Sequence, residues 1–396
     1  MAAARVGRKL RWLLLLTAAI VPVILVGGYV FLIIDRQRRD AEDRAAAAAD
    51  RRLQRPLVSR SGRILFVAQR DQTDDFYVVN VDGTGLTRLT HMPRGWELSG
   101  MPVVSPDGTR LVINTGNVSV VRLDRPGEKT ELQRAPSGSL AWSPDGTQLA
   151  SLSLDVKKRL HLYVFNADGQ EAVREIAATW PSTAAGYSQS AYDLAWSPDG
   201  KSFVFTLFTD TRRPFSRSLA PRYTHAYIAP VDGRAPRNLS LEPNPVMLFG
   251  NFAWSPDSRH LAGINGEGIA VVDVDLKWKQ IPIFAHMTDL AQRPAWSPDS
   301  QRLAWFNPDS IVVSNPDGEQ QQELTRGRCR GVHPAWSDDG RRIAFACYEP
   351  RGAVYVMNAD GSGLTSVHVG PEDEAFGERY RPRYPVWLPA IAPRDK

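Results

Sequence analysis

The sequence predicts an all-β fold, a seven-bladed β-propeller, because one short motif recurs seven times and each copy belongs to a unit of four strand-like segments. The clearest copy, from Ala141 to Gly146, reads Ala-Trp-Ser-Pro-Asp-Gly. The same pattern returns at Trp196, Trp254, Trp296 and Trp336. Two diverged copies lie outside these, one from Val103 to Gly108 and one around Trp387.

Each motif is typical of a short strand that ends in a tight turn. Proline sets φ for the turn, aspartate bonds nearby backbone groups, and glycine tolerates positive φ. An apolar strand follows, as at 149–152, and then a third strand that closes on a second turn, as from Leu162 to Gly169. A polar edge strand such as 323–325 ends the unit, which matches one propeller blade. We expect the repeated Trp to pack between blades, not to stack on a carbohydrate.

The two ends of the repeat region predict how the ring closes. Residues 63–67 and 77–83 read as the second and third strands of a blade, with no first strand before them. A lone first strand stands around Trp387 at the other end. We therefore expect residues 63–390 to form one ring in which the C-terminal strand completes the N-terminal blade, so that no sheet edge is left open there. Residues 391–396 form a short tail.

An uncharged stretch of 23 residues, 12–34, precedes the repeats. As a helix it is about 35 Å long, enough to cross a bilayer of about 30 Å, and it is longer than the apolar region of a signal peptide. We expect one uncleaved transmembrane helix here. A short basic segment, 1–11, precedes it, and an Ala- and Arg-rich linker with helical character, 35–62, follows it.

The net positive charge of the chain lies in its N-terminal part. Residues 1–62 hold 12 Lys and Arg against 5 Asp and Glu, whereas the remainder holds 36 against 38. The near-neutral repeat region predicts no binding to nucleic acid. Acidic residues between 35 and 43 offset the positive charges that follow the span, which favours a cytoplasmic N-terminus and an extracytoplasmic propeller.

The Ala-Trp-Ser-Pro-Asp-Gly motifs and the string Tyr-Val-Met-Asn-Ala-Asp-Gly that ends at Gly361 resemble the repeats of the TolB-like, WD40-like (PD40) propellers over about 63–390. This resemblance implies the fold and carries little about function, because propellers host many unrelated activities. The bacterial periplasmic protein TolB has six blades and an N-terminal α/β domain, whereas this chain counts seven blades after an apolar stretch. The role of TolB with a peptidoglycan-associated lipoprotein is therefore not transferred to this chain.

The segments between strands predict which face binds a ligand. The Pro-Asp-Gly and Ala-Asp-Gly turns share one face, which we call the turn face. The opposite, looped face collects the long segments 91–101, 178–192, 209–225, 241–251 and 368–383. Long loops on a rigid scaffold commonly carry binding sites. The linker enters at the turn face, so we expect the looped face to point away from the membrane.

The residue three places before each Trp position should stand at the mouth of the central channel on the looped face. These seven mouth residues are Met101, Ser139, Asp193, Asn251, Arg293, His333 and Tyr384. Their varied polar chemistry suits a peptide or a small polar ligand, and a channel that holds only water is the open alternative. A second candidate is a basic loop of the fourth blade, for an acidic partner or simply for solvent; it contains Arg212, Arg213, Arg217 and Arg222.

Cys329 and Cys347 are the two cysteines of the chain. If the sixth Trp motif turns at Asp339 and Gly340, Cys347 lies across the hairpin near Val332, with Cys329 just beyond it. A disulfide between them would imply an oxidising compartment, and two buried free thiols are the alternative.

The repeats contain no recognisable catalytic motif. The closest string to a Gly-x-Ser-x-Gly elbow, from Gly186 to Ser190, lacks the last glycine, and the seven histidines have no local metal-binding spacing. The sequence predicts a membrane-tethered scaffold, a monomeric propeller without a cofactor or metal, that binds a protein, a peptide or an envelope glycan. The alternative is a polysaccharide-acting enzyme that resembles the seven-bladed oligogalacturonate lyases, with a metal at His333 and with His91 and His368 nearby.

Overall fold

The computed structural model describes the repeat region in a series of segments. They are residues 62–70, 73–98, 101–125, 127–132, 138–154, 160–169, 174–177, 188–210, 222–239, 248–265, 268–274, 278–282, 293–307, 310–326, 331–347, 352–369 and 382–388. The predicted membrane span and most of the linker lie outside these segments. Within them, no helix has the length and apolar character needed to cross a membrane.

The described residues form 28 strands in seven antiparallel four-stranded sheets, the blades of a propeller. Blade 1 contains β1 (Arg63–Arg70), β2 (Thr73–Asn80) and β3 (Thr87–Arg88). Blade 2 contains β4 (Val103–Val104), β5 (Arg110–Asn114), β6 (Val118–Arg122) and β7 (Lys129–Glu131). Blade 3 contains β8 (Ser139–Trp142), β9 (Gln148–Leu154), β10 (Leu160–Asn166) and β11 (Arg174–Ala177). Blades 4 and 5 contain β12 (Ser188–Trp196), β13 (Ser202–Asp210), β14 (Arg222–Pro230), β15 (Arg237–Asn238); β16 (Leu248–Trp254), β17 (His260–Asn265), β18 (Gly268–Asp273) and β19 (Trp278–Pro282). Blades 6 and 7 contain β20 (Ala295–Trp296), β21 (Leu303–Asn307), β22 (Ser310–Ser314), β23 (Gln322–Glu323); β24 (Gly331–Trp336), β25 (Arg342–Cys347), β26 (Ala353–Asn358) and β27 (Thr365–Val369).

The last strand, β28 (Arg383–Leu388), belongs to blade 1. It pairs antiparallel with β1, so that Ile64 lies opposite Trp387 and Arg63 lies opposite Leu388. The first sheet therefore has the order β28-β1-β2-β3 and contains both ends of the repeat region. This is the arrangement that the unpaired first strand around Trp387 predicts.

The core consists of seven hydrophobic clusters, one in each seam between neighbouring blades. Alternate residues of a strand point to opposite faces of its sheet, so each strand contributes to two seams. In β1, Leu65 packs with Leu111 of blade 2, and Phe66 packs with Val354 of blade 7. The blade 1–blade 7 seam is filled like the others, which closes the ring through packing as well as through strand pairing.

The Ser-Pro-Asp turns explain why the motif repeats. The hydroxyl of Ser143 donates to Asp145 Oδ1 at 2.6 Å, and the amide of Gly146 donates to the Ser143 carbonyl at 2.9 Å. Gly146 has a φ of +70°, and Ser258 and Ser300 take up the same left-handed position, each with a φ of +61°. The serine, the aspartate and the residue after it thus each close part of one turn.

The motif tryptophans connect neighbouring blades. The indole Nε1 of Trp142 donates to the Val103 carbonyl across the seam at 3.0 Å, and the guanidinium carbon of Arg110 lies 4.7 Å from the centre of the Trp142 ring. Equivalent cross-seam bonds are made by Trp296, Trp336 and Trp387. The expectation that these rings pack between blades is confirmed.

Blade 4 differs from the expectation. The predicted loop 209–225 is partly strand, because β13 continues to Asp210 and β14 begins at Arg222. Their register is unbroken from Ser202 paired with Pro230 to Asp210 paired with Arg222. Strand pairing here continues through polar residues that a hydrophobic pattern does not mark as strand.

Candidate functional site

Four of the seven mouth residues have a left-handed backbone. The φ angle is +58° at Asp193, +56° at Asn251, +54° at His333 and +53° at Tyr384. At each of these positions the pairing of the innermost strand with its neighbour is interrupted by a register shift. Such a bulge bends the strand and redirects its side chains. Asp, Asn and His tolerate this backbone better than most residues do, whereas Tyr384 is held there by its surroundings.

A cavity of about 750 Å³ runs along the innermost strands and is bounded by five of the seven mouth residues. These five are Met101, Ser139, Asp193, Asn251 and Arg293. The strands that bound it belong to blades 2 to 5, and Trp96, Glu97 and Leu98 from the segment after blade 1 complete its wall. The volume lies in the range of pockets that bind small molecules or short peptide segments.

Hydrogen bonds between neighbouring mouth positions hold part of the ring. The Leu194 amide donates to the hydroxyl of Ser139 at 3.0 Å, which joins blades 3 and 4. The Asn251 amide donates to Asp193 Oδ2 at 3.0 Å, which joins blades 4 and 5. The left-handed turn at Asn251 leaves its amide free of the strand ladder for this purpose. The side chains of Ser139 and Asp193 are therefore each fixed by a backbone amide of the next blade.

Asp193 and Arg293 are the charged pair of the mouth. Burial raises the pKa of Asp193, while the Asn251 amide and the Arg293 charge act in the opposite direction. Burial also lowers the pKa of Arg293, and the Asp193 charge opposes that shift. The two side chains thus interact through space in a partly desolvated setting, and each would gain from a further partner of opposite charge.

His333 and Tyr384 do not border the cavity. Their ring centres lie 4.3 Å apart, and the guanidinium carbon of Arg383 lies 5.8 Å from the centre of the Tyr384 ring. His333 is 5% exposed, and burial, with a further contribution from the Arg383 charge, lowers its pKa to about 3. This side of the ring is closed by aromatic packing, and its histidine is neutral at physiological pH.

The segment 89–98, which we call the anchored segment, follows blade 1 and carries the cavity residues Trp96 to Leu98. Three consecutive polar residues of β2 hold it in place. The Gly95 amide donates to Thr73 Oγ1 at 2.9 Å, and the Leu98 amide donates to Asp74 Oδ2 at 2.8 Å. Trp96 in turn packs against Phe76, with ring centres 6.2 Å apart.

Asp75 makes the largest set of bonds to the anchored segment. Its carboxylate accepts hydrogen bonds from the Thr90 hydroxyl at 2.9 Å and from the Met92 amide at 3.0 Å, and it pairs with Arg88 at 2.7 Å. Sequence reasoning missed this network. The available signal was the run Thr73-Asp74-Asp75 at the start of a strand whose residues are all buried, because buried carboxylates need partners.

The other predicted site residues are described in part. The described residues do not include Arg212, Arg213 and Arg217. The backbone of Arg222 begins β14, and its side chain is not among the described ones. Cys347 lies opposite Gly331, one position from the predicted Val332, and is disulfide-bonded. The sequence's other cysteine, Cys329, lies outside the described residues, so its pairing with Cys347 stays a prediction.

The histidines of the metal-site alternative are not brought together as a ligand set in the described part of the chain. No group of three or more His, Cys, Asp or Glu side chains there could hold a metal ion. His368 packs against Phe66 with ring centres 5.5 Å apart, and burial lowers its pKa to about 4. His91 is exposed in the anchored segment.

Comparisons with known proteins identify the fold. No protein-family model and no curated protein sequence matches the chain. Among solved structures, a mutant of puromycin hydrolase has a TM-score of 0.57 and 17% identity over 80% of this chain and 54% of its own. The oligogalacturonate lyase of Vibrio parahaemolyticus has a TM-score of 0.53 and 14% identity over 77% of this chain and 88% of its own. TolB from Acinetobacter baumannii covers 83% of this chain and 67% of its own, with a TM-score of 0.47 and 15% identity.

The two structures with TM-scores above 0.5 support an all-β propeller fold. They leave the activity of this chain open, because propellers host many unrelated activities.

Proposed function

We propose that the protein is a membrane-tethered, extracytoplasmic binding scaffold that receives a protein or peptide ligand at the mouth of its central channel. The observation that carries the proposal is the cavity of about 750 Å³, bounded by Met101, Ser139, Asp193, Asn251 and Arg293. A concave site with a few convergent polar groups on an otherwise apolar wall is the usual form of a ligand pocket. The predicted basic residues of blade 4, Arg212, Arg213 and Arg217 with Arg222 at the start of β14, are proposed as a second contact, for an acidic partner.

Two features outside the cavity support the proposed location. The uncharged stretch 12–34 is long enough to cross a bilayer and would hold the propeller at a membrane. The disulfide at Cys347 suits an oxidising compartment, which agrees with a propeller outside the cytoplasm. Mass spectrometry of the non-reduced protein tests the second point: a Cys329–Cys347 peptide pair is expected, and two free thiols would remove this support.

Site-specific photo-crosslinking in native membranes tests the binding function. A photoreactive residue at Met101 lines the cavity, and one at Thr147 is exposed in a Ser-Pro-Asp turn on the opposite face. We expect a discrete cross-linked product from position 101 that disappears with Asp193→Ala and has no counterpart at position 147. Equal labelling from both positions would contradict a binding site at the mouth.

The alternative is a polysaccharide-acting enzyme with a metal at the mouth. Asp193 and His333 are ligand-type residues of the same ring, and one similar structure is an oligogalacturonate lyase in complex with manganese. Against this, His333 is buried beside Arg383, whose positive charge disfavours a second cation. Metal analysis of the purified protein separates the two functions: stoichiometric Mn, Ca or Zn that is lost with His333→Asn would favour the enzyme.

A further inference from the structure

Arg293 is the one cationic side chain among the described residues that line the cavity. Its guanidinium makes no hydrogen bond or ion pair with any other described residue, and its interaction with Asp193 acts through space. A guanidinium carries five N–H donors in a planar fork that fits a carboxylate with two parallel bonds. With respect to the part of the chain that the structure describes, this fork is therefore available to a ligand in the cavity.

Asp193 interacts with Arg293 only through space and makes no ion pair with it at hydrogen-bond distance. Its Oδ2 atom is engaged by the Asn251 amide at 3.0 Å, and this bond follows from the left-handed turn at Asn251. Burial penalises the charge of Arg293, as the lowered pKa of this residue shows. An anion bound by the guanidinium would offset that penalty.

We infer that Arg293 binds the C-terminal carboxylate of a peptide that enters the cavity, an inference that rests on the proposed binding function. The apolar cavity residues Leu98 and Met101, which pack together at the seam between blades 1 and 2, would receive a neighbouring hydrocarbon side chain, which a sugar lacks. Glu97 and Asp193 make the remaining charged lining acidic, so the site accepts one carboxylate and repels a peptide rich in acidic residues.

The size of the cavity favours a chain end over an internal segment. The cavity has a volume of about 750 Å³ and is lined by strands of blades 2 to 5 and by the anchored segment. A short terminal segment fits a space of this size, whereas an internal segment has to continue past the cavity in both directions. The carboxylate at the end of the chain is then the group that reaches Arg293.

Affinity selection from random tetrapeptides tests the inference on the full-length protein in detergent. One library carries free C-terminal carboxylates and a matched library carries C-terminal amides. We expect the wild-type protein to enrich free-acid peptides with apolar residues near the C-terminus. Arg293→Gln should weaken their binding by roughly 10- to 100-fold, the usual effect of losing a hydrogen bond between charged groups, and Arg293→Lys should weaken it less. Arg259→Gln, an exposed change on the turn face, is the control and should leave binding unchanged.

The outcomes separate this inference from the function on which it rests. If both libraries bind equally well and Arg293→Gln binds like the wild type, carboxylate recognition is wrong while peptide binding at the mouth stands. If acidic side chains replace the free C-terminus in the selected peptides, the terminal assignment is wrong. If the wild-type protein enriches neither library, both the inference and the proposed peptide binding fail. Unchanged thermal unfolding of the Arg293 variants shows that a loss of binding is not a loss of folding.

Discussion

Arg383 donates a hydrogen bond to the carboxylate of Asp74, a residue 309 positions earlier in the chain. The pair joins the closing strand β28 to β2, the third strand of blade 1, across β1. Asp74 is fully buried and also accepts the Leu98 amide of the anchored segment. Ring closure and the positioning of one cavity wall therefore depend on the same carboxylate.

Removal of the closing strand should unfold the propeller. A chain that ends at Arg381 lacks β28, the ion pair with Asp74 and the indole bond from Trp387 to the Ala335 carbonyl. Strand β1 then loses its inner neighbour and exposes an unpaired edge to the channel. We expect loss of cooperative thermal unfolding, measured by circular dichroism.

The matched control for this deletion is a chain that ends at Ala390, which keeps all of β28. It should unfold like the wild-type protein. If the chain that ends at Arg381 kept the wild-type Tm, blade 1 would not need its innermost strand β28, and the assignment of the channel mouth would lose its basis.

Two tryptophans of the seams that are about equally buried should contribute unequally to the stability of the propeller. Trp336, 7% exposed, donates to the Ala295 carbonyl at 3.1 Å and lies 4.5 Å from the guanidinium carbon of Arg302. Trp254, 9% exposed, has an Nε1 without a hydrogen-bond partner among the described residues. Trp336→Phe should cost about 1–2 kcal/mol more in unfolding free energy than Trp254→Phe. Equal losses in urea titrations of the two variants would show that the rings act through packing alone.

The sequence predicts the blades well because each blade is specified locally. The serine, aspartate and glycine of the turn at Ser143 bond to one another, so the motif alone is enough to predict this turn wherever it occurs. The same is true of the closing strand, since Trp387 keeps the position of the motif tryptophan after the turn residues are lost. Counting these motifs was enough to predict seven blades and their closure.

The mouth was harder to predict in detail. The spacing from the Trp motif predicts Asp193 and Asn251 as mouth residues, but no local pattern marks their left-handed backbone or the bond between them. Likewise, the carboxylates of Asp74 and Asp75 meet partners from 13 to 309 positions away. The contact between Asp74 and Arg383 depends on the closed ring, and the contacts of Asp75 depend on how the segment after blade 1 folds back on β2. A linear pattern contains neither.

Asp75 should control the order of the anchored segment. Asp75→Asn keeps the size of the side chain but leaves one oxygen in place of two. If that oxygen keeps the bonds from the Thr90 hydroxyl and the Met92 amide, the NH2 group replaces Oδ2 opposite Arg88 and the ion pair is lost. We expect a loss of about 1–3 kcal/mol in unfolding free energy and faster tryptic cleavage after Arg94. The exposed Asp82→Asn serves as the control and should change neither quantity. Unchanged cleavage after Arg94 in the Asp75 variant would mean that the segment is held by Trp96 packing instead.

His333 should make the propeller less stable in mild acid. Its pKa is lowered to about 3 in the folded protein, against about 6.5 in an unfolded chain. Between these values the unfolded state binds a proton that the folded state does not, so stability is fully present above about pH 6.5 and falls as the pH drops toward 3. One such group contributes a slope of about 1.4 kcal/mol per pH unit within this window.

His333→Asn tests this dependence, because asparagine tolerates the φ of +54° at this position. Urea unfolding at pH 7.5, 6.0 and 5.0 should show that acidification lowers the unfolding free energy less steeply in the variant than in the wild type. The difference in slope should correspond to about one bound proton. His91→Gln changes an exposed histidine and should keep the wild-type slope. Parallel pH profiles of His333→Asn and the wild type would mean that the buried ring opens to solvent and titrates normally. The packing of His333 against Tyr384 would then not close this side of the mouth.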